Sequence, residues 1–507
     1  MKQVDGKEVA FHNSREKGVW IVVHGESFMN HSRTLSPTDQ KYAGKDATEE
    51  YEPIHPPDAI KDNLDPSKHL GPVIPGTLPK PQTISPSPAP AAVQVPQKRA
   101  GGTNDTLPEE YVKPSLEEIL SLHDFEAVAR RTMSRRGWNY YSSGADDEIT
   151  MRENHNAFHR VWFRPRVLRD VSKVDYSTSI FGFKTSMPIY ITATALGKLG
   201  HPEGEVCLTK AAAEHDVIQM IPTLASCSFD EMVDAAKPGQ VQFLQLYVNA
   251  DRTRTKKIIS HAAERGVKAL FITVDAPQLG RREKDMRTKF EGTASAQQAA
   301  GKDNFRRDQG AARAISSFID PSLSWKDLKE LKEAAKGMKV VLKGVQCWED
   351  AVLAAQHGMD GIVLSNHGGR QLDFSPSPLA LLPSVTSALR QNGYLSPHSP
   401  PFEIFVDGGV RRATDVLKAI ALGATAVGIG RPMIYAMSTY GTEGVSKALQ
   451  ILKDEFDMNM RLIGARTIEE VVPSMVETGA LFQGIGSDTM YDANYEKILP
   501  VGVKARL

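Results

Sequence analysis

The sequence predicts an α/β protein whose main body is a (β/α)8 barrel of the TIM type, preceded by a small and separate N-terminal module. Three observations carry this expectation. Eight short apolar runs rich in β-branched residues alternate with helical stretches. No GxGxxG opens an early helix, which disfavours an open doubly wound sheet, and eight units suit closure. A proline-rich spacer divides a short head from a long body.

The spacer, "PVIPGTLPKPQTISPSPAPAAVQVPQKRAGG", is rich in Pro and Ser and poor in aromatics, the make-up of an extended, semi-rigid linker. The expected organisation is a head over residues 1–71, a linker over 72–111, the barrel over 112–490 and a tail over 491–507. "SLEEILSLHDFEAVARRTM" spaces its apolar residues as a helix does and carries acidic residues early, so helices open the body. The strand runs follow in order as "MPIYITATA", "VIQMIPTLA", "VQFLQLYV", "VKALFITVDAP", "MKVVLKGV", "GIVLSNHGG", "FEIFVDGG" and "ATAVGIGRP". Between the fourth and fifth lies a polar insertion, "KFEGTASAQQAAGKDNFRRDQGAARAISSF", of a length usual in mobile lids or disordered loops.

Composition narrows the function classes. Hydrophobic residues make up 41% of the 507, enough for at least one large core. Lys plus Arg and Asp plus Glu both number 61, so no net field favours nucleic acid or an anionic membrane. The cysteines Cys207, Cys227 and Cys347 are odd in number and widely spaced, which fits buried thiols in a reducing compartment better than disulfides. Near the start the longest apolar run is "VWIVV", far short of a membrane span or a secretory core. The expected protein is soluble and cytoplasmic, or of the mitochondrial intermembrane space were a leader missing from this start.

A barrel of this kind carries its site at the C-terminal ends of its strands. Strand three ends in Gln245 and Tyr247, strand four in Thr273 and Asp275, strand five in Lys343, and strand six in Ser365, His367 and Arg370. Strand seven ends in "DGGVR", which is Asp407, Gly408, Gly409, Val410 and Arg411, and strand eight in Gly430 and Arg431. Glycines beside arginine at strands seven and eight are where such barrels hold a phosphate, because bare backbone approaches closely and donates its N–H groups. His367 is a candidate general base, and Asp275 is the acid that could face and orient it. Arg282 and Arg370 could grip a carboxylate bidentately beside it. Lys343, pointing inward, needs an anion, and a flavin ring that gains negative charge on reduction would be one.

At "SNHGGRQLDF", together with "VDAPQLGRREKDM", "NYYSSGADDE" and "VDGGVRRATDVLKA", the body resembles the FMN-dependent L-2-hydroxyacid dehydrogenase and oxidase family over nearly all of residues 112–490. The nearest likeness is to the branch that joins a haem module to the flavin barrel. The resemblance implies oxidation of a small L-2-hydroxy acid, foremost L-lactate to pyruvate, with His367 as base paired to Asp275 and with Arg370 and Arg282 on the carboxylate. Tyr140 and Tyr247 would hydrogen-bond the substrate. FMN would lie against the backbone of Thr192, Ala193, Thr194 and Ala195, with Gln245, Thr273, Lys343 and Ser365 on its ring and ribityl chain. Its phosphate would fall to the Asp407–Arg411 run, at Gly409 and Arg411, and to Gly430 and Arg431. Ala195 and Leu224 resemble a side-chain wall suited to a methyl group. One departure is local: Pro222, followed by Thr223, stands where the family commonly has a hydroxyl residue. A homotetramer is implied as well.

In the head, residues 6–24 and 42–71 resemble the two flanks of a cytochrome-b5-type α+β domain, in which two histidines ligate haem b. His55 matches the second ligand. The first normally sits in an HPGG turn, and none is present; His31 lies near that place but is followed by "SRTLSPT". The expectation is an incomplete module. A competent one would pass electrons through haem to cytochrome c, and an incompetent one leaves oxygen or a quinone-like acceptor, as in a 2-hydroxyacid oxidase. A non-catalytic flavin- or phosphate-binding barrel is the remaining alternative, opposed by the joint presence of His367, Asp275 and both arginines.

Overall fold

A computed structural model describes residues 111–288, 316, 318–399 and 401–482, together with four strands nearer the N-terminus. The chain divides into two compact units, Met1–Asp105 and Thr106–Leu507. In the first, Asn13–Ser14, Gly18–Val23, Glu26–Asn30 and His69–Pro72 form one antiparallel sheet in chain order. His31 and His55 lie outside the described residues, as do most of the polar insertion and the tail.

The second unit opens with three helices, α1 (Leu122–Thr132), α2 (Arg135–Ser142) and α3 (Ile149–His159). Ser121 and Ser134 start the first two by accepting the N–H of Asp124 and Gly137, each relieving a donor that the helix leaves unpaired. All eight expected strands then form: β1 (Ile189–Ile191), β2 (Ile218–Pro222), β3 (Gln242–Leu246), β4 (Ala269–Thr273), β5 (Lys339–Val345), β6 (Gly361–Leu364), β7 (Glu403–Asp407) and β8 (Ala426–Ile429). Every neighbouring pair is parallel, and β8 closes on β1 through Val427, Gly428 and Ile429 opposite Ile189, Tyr190 and Ile191. A long helix, α4 (Arg431–Ile463), follows β8 and breaks its helical geometry at Tyr440 and Gly441.

Strand alternation sorts the side chains into two cores. Leu244, Leu270, Ile272, Leu342, Leu364 and Val406 point outward into the layer shared with the helices. Tyr190, Met220, Phe243, Phe271, Val341, Val363 and Phe405 point inward and fill the barrel, with Ile180 of the hairpin Thr178–Thr185 packed among them. The same inward parity continued two residues further gives Thr192, Gln245, Thr273, Lys343, Ser365 and Asp407, all buried. The apolar filling thus gives way to polar groups at the C-terminal end, where the site belongs. Cys207 and Cys227 are buried free thiols and Cys347 is half-buried. No helix among the described residues is long and apolar enough to cross a membrane.

Candidate active site

The polar strand ends converge on a cleft enclosing about 1050 Å³, its open mouth included. Tyr140, Thr192, Ala193, Thr194, Ala195, Gln245, Tyr247, Thr273, Lys343 and the Asp407–Arg411 run line it, with His367, Arg282, Arg370, Gly430 and Arg431. Asp275 and Ser365 stand one layer behind, holding residues that line it.

His367 sits in a left-handed turn, φ 60°, just past β6, with its N–H on the Ser365 hydroxyl at 3.0 Å. Its Nδ1 lies 3.1 Å from Oδ1 of the fully buried Asp275, and its Nε2 lies 3.0 Å from the Tyr247 hydroxyl. With Nδ1–H donating to the carboxylate, Nε2 carries the lone pair and accepts from Tyr247. Burial pushes the His367 pKa below the ordinary histidine value, and Lys343 and Arg282 push the same way against Asp275. The imidazole is therefore neutral at pH 7. Burial works to raise the Asp275 carboxyl, but its interaction with His367, the hydrogen bond included, and the Lys343 ammonium outweigh it and hold the pKa below the usual carboxylate value. Gly344 makes room for this acid: at φ 112°, a Cβ there would come within 2.6 Å of the Asp275 side chain.

Two guanidiniums flank the histidine. Arg282 is buried, with Nε on the Arg370 carbonyl and an amino group on Gln371 Oε1, both at 3.1 Å. Burial and the neighbouring Arg370 push its pKa down to about 9, which leaves it charged at neutral pH. Arg370 donates to the carbonyls of Tyr140 and Ser143 at 2.7 and 3.0 Å and lies 5.0 Å from the Tyr140 ring centre. No carboxylate bonds either guanidinium among the described residues, so an anionic ligand would complete both.

Across the cleft, Lys343 Nζ pairs with Asp407 Oδ2 at 3.2 Å and donates to Ser365 at 3.2 Å. Burial works to lower its pKa, but Asp407 and Asp275 more than reverse that, and the ammonium stays charged. The other Asp407 oxygen, Oδ1, is buried without a hydrogen-bond partner. Gly408 and Gly409 adopt φ of 94° and 85°, and a Cβ at Gly409 would overlap the Asn154 carbonyl. At Gly430 a Cβ would come within 2.8 Å of the Thr192 hydroxyl. Bare backbone thus borders the cleft on the side of β7 and β8, beside an unsatisfied acceptor and a buried ammonium. Arg431 gives Nε and both amino groups to the carbonyls of Tyr141, Gly368 and Ser143, and Arg411 gives Nε to Glu126 at 3.1 Å. Both arginines are tied into the wall as well as facing the cleft.

Several contributors had no legible signal in sequence. Gln371 bonds Arg282, the Asp275 carbonyl and the Gln278 carbonyl, and so links both arginine-bearing turns to the acid. Asn154 and Asn366 exchange amide bonds of 2.8 and 2.7 Å, fixing α3 against the histidine turn. Leu279 joins Ala195 and Leu224 on the apolar wall. Neither Pro222 nor Thr223 lines the cleft; the Thr223 hydroxyl donates to the Gln245 carbonyl at 3.1 Å.

A closed barrel, a carboxylate-backed histidine with paired guanidiniums, and a glycine cradle beside a buried ammonium define a flavin-dependent oxidoreductase site of the hydroxyacid type. The chain belongs to the FMN-dependent dehydrogenase family, whose model matches residues 129–478. It is 50% identical over 499 residues to the L-lactate dehydrogenase (cytochrome) of Wickerhamomyces anomalus, spanning 97% of this chain and 83% of that protein. The L-lactate dehydrogenase (cytochrome) of Saccharomyces cerevisiae is 45% identical over 510 residues, 98% and 83% of the two chains. Among solved structures, the recombinant flavin-binding domain of baker's yeast flavocytochrome b2 superposes with a TM-score of 0.67 at 47% identity, covering 77% of this chain and 95% of that one. The cleft's own chemistry is compatible with FMN: Asp407 Oδ1 could accept from a hydroxyl, the glycines leave room for a phosphate, and the Lys343 ammonium could face an electron-rich ring.

Proposed function

We propose that this protein oxidises an L-2-hydroxy acid, foremost L-lactate to pyruvate. The observation that carries the reading is the single cleft in which His367 Nε2, the Tyr247 hydroxyl and the Arg282 and Arg370 guanidiniums face one another. The names of the two similar lactate dehydrogenases support the substrate, and the apolar wall of Ala195, Leu224 and Leu279 suits a methyl group.

Arg282 and Arg370 bind the carboxylate, which relieves the repulsion between two neighbouring like charges and turns it into orientation. Tyr140 and Tyr247 hold the hydroxy-acid oxygens, and the hydroxyl of the acid takes the place of Tyr247 beside Nε2. FMN, when bound, supplies the two-electron acceptor. Lys343 would face its ring, with Ser365 holding the ammonium from behind and Gln245 and Thr273 beside it, and Asp407 would take a ribityl hydroxyl. Gly409, Arg411, Gly430 and Arg431 receive the phosphate. His367, neutral at rest, accepts at Nε2 one of the two hydrogens lost as the alcohol becomes a ketone, as a proton; the other would leave with the electron pair to the acceptor that FMN supplies, and Asp275 stabilises the imidazolium that results.

The acceptor for the electrons depends on the head. His55 stands where one haem ligand belongs, without an HPGG turn for the other, and the "cytochrome" in the relatives' names points to cytochrome c where the module is competent. The activity is tested by anaerobic titration of the purified protein with L-lactate. Bleaching of the visible flavin band with one pyruvate formed per flavin is the expected result; a flavin band that L-lactate leaves untouched overturns the reading.

A further inference from the structure

The loop between α2 and α3 joins the two arginine-bearing turns. Ala145 N–H donates to the Gly369 carbonyl at 2.8 Å, one residue before Arg370, and Asp146 N–H donates to the Arg281 carbonyl at 2.9 Å, one residue before Arg282. Glu148 closes the loop: Oε1 accepts the Gly144 N–H at 2.8 Å, and Oε2 pairs with Lys284 Nζ at 2.8 Å. Both side chains are buried, 5% and 4% exposed, a degree that only Lys343–Asp407 approaches among the described acid–base pairs. Glu148 holds a left-handed φ of 59° to reach this position. Neither residue lines the cleft.

The pair has a mechanical task. Arg282 and Arg370 are like charges packed together with no bonded carboxylate among the described residues, and their repulsion works to separate the turn at 280–286 from the turn at 366–371. Lys284 lies two residues beyond Arg282 on a helix of only four residues, Glu283–Met286, which cannot hold its own orientation. An ion pair with both members desolvated and further hydrogen-bonded is directional and resists displacement, whereas exposed pairs such as Lys210–Glu203 are screened.

We propose that the buried Glu148–Lys284 pair is a positioning clamp that sets the spacing of the two guanidiniums and thereby the affinity for the substrate carboxylate. The inference rests on the carboxylate-binding part of the function proposed above. Two variants test it. Glu148→Gln keeps the side-chain length and the bond to Gly144 but removes the charge. Glu148→Leu combined with Lys284→Met replaces the pair by apolar groups of similar volume and leaves no buried charge unpaired. Each is compared with the parent chain for FMN content, melting temperature, steady-state rates with L-lactate, and the dissociation constant of oxalate. The expected result is a KM and an oxalate dissociation constant both raised about five- to fifty-fold, with kcat within about threefold and FMN retained. A purely structural pair would not split KM from kcat in this way. Folded, FMN-loaded variants whose two constants stay within about twofold of the parent overturn the proposal. Loss of FMN or of folding in both variants also overturns it, because the pair is then a structural support alone. If the parent chain does not oxidise L-lactate, the activity reading fails by itself, and the oxalate constants still decide the clamp.

Discussion

In the proposed reaction His367 is the base, and its environment sets opposing demands. Burial favours the neutral imidazole that a base requires, while Asp275 at 3.1 Å favours the imidazolium that such a base would become. His367→Gln should lower kcat by about 10²–10⁴-fold while FMN content stays at the parent level, because glutamine cannot take the proton but fits the site. Stopped-flow flavin reduction and the flavin-to-protein absorbance ratio measure the two parts separately. The sign of the pH effect follows from the same balance. Protonated His367 cannot accept a proton, so kcat/KM falls as pH drops through its pKa, which lies below the ordinary histidine value. Asp275→Asn removes an anion that raises that pKa, so the acid limb of the profile should move to lower pH as the plateau drops. A limb that moved upward would mean that a different group is titrating.

At the scale of elements, the site follows from strand parity and from the turns that leave each strand. The inward positions of β3 to β7 run from aromatic and aliphatic groups to Gln245, Thr273, Lys343, Ser365 and Asp407, so one alternation builds both the filling and the floor of the cleft. The glycines of the strand-seven turn serve close approach. Gly409→Ala would set a methyl group against the Asn154 carbonyl at a backbone angle that disfavours side chains. The expected outcome is FMN loss on gel filtration, with affinity weakened about tenfold or more and partial recovery in excess FMN, followed by flavin fluorescence. These strands were legible in sequence because each is a short β-branched run ended by polar residues. Gln371, Asn154 and the Glu148–Lys284 pair were not, because their partners are 96, 212 and 136 residues away in the chain.

On the scale of the whole molecule, the flavin barrel and the head raise separate questions. The barrel belongs to a family whose model covers residues 129–478, and the head holds an antiparallel sheet. A b-type haem would need two histidine ligands, and the sequence offers His55 and His31 without the HPGG turn. A visible spectrum of the full chain should therefore show flavin bands without b-type haem bands. L-lactate should then drive reduction of a small artificial acceptor far faster than that of cytochrome c. A Soret band that sharpens on adding L-lactate would place haem in the electron path instead.

The barrel could be read from the count and spacing of β-branched runs, which are local properties, and most of the cleft from the polar groups at strand ends, which stand out against an apolar pattern. Tertiary structure decided which of those groups touch. It placed Asp275 and Ser365 behind the surface as supports, tied Arg431 to three carbonyls, and brought Glu148 to Lys284. Such pairings are fixed by barrel closure and by the burial of polar groups that must find partners, and neither is written in any one stretch of chain.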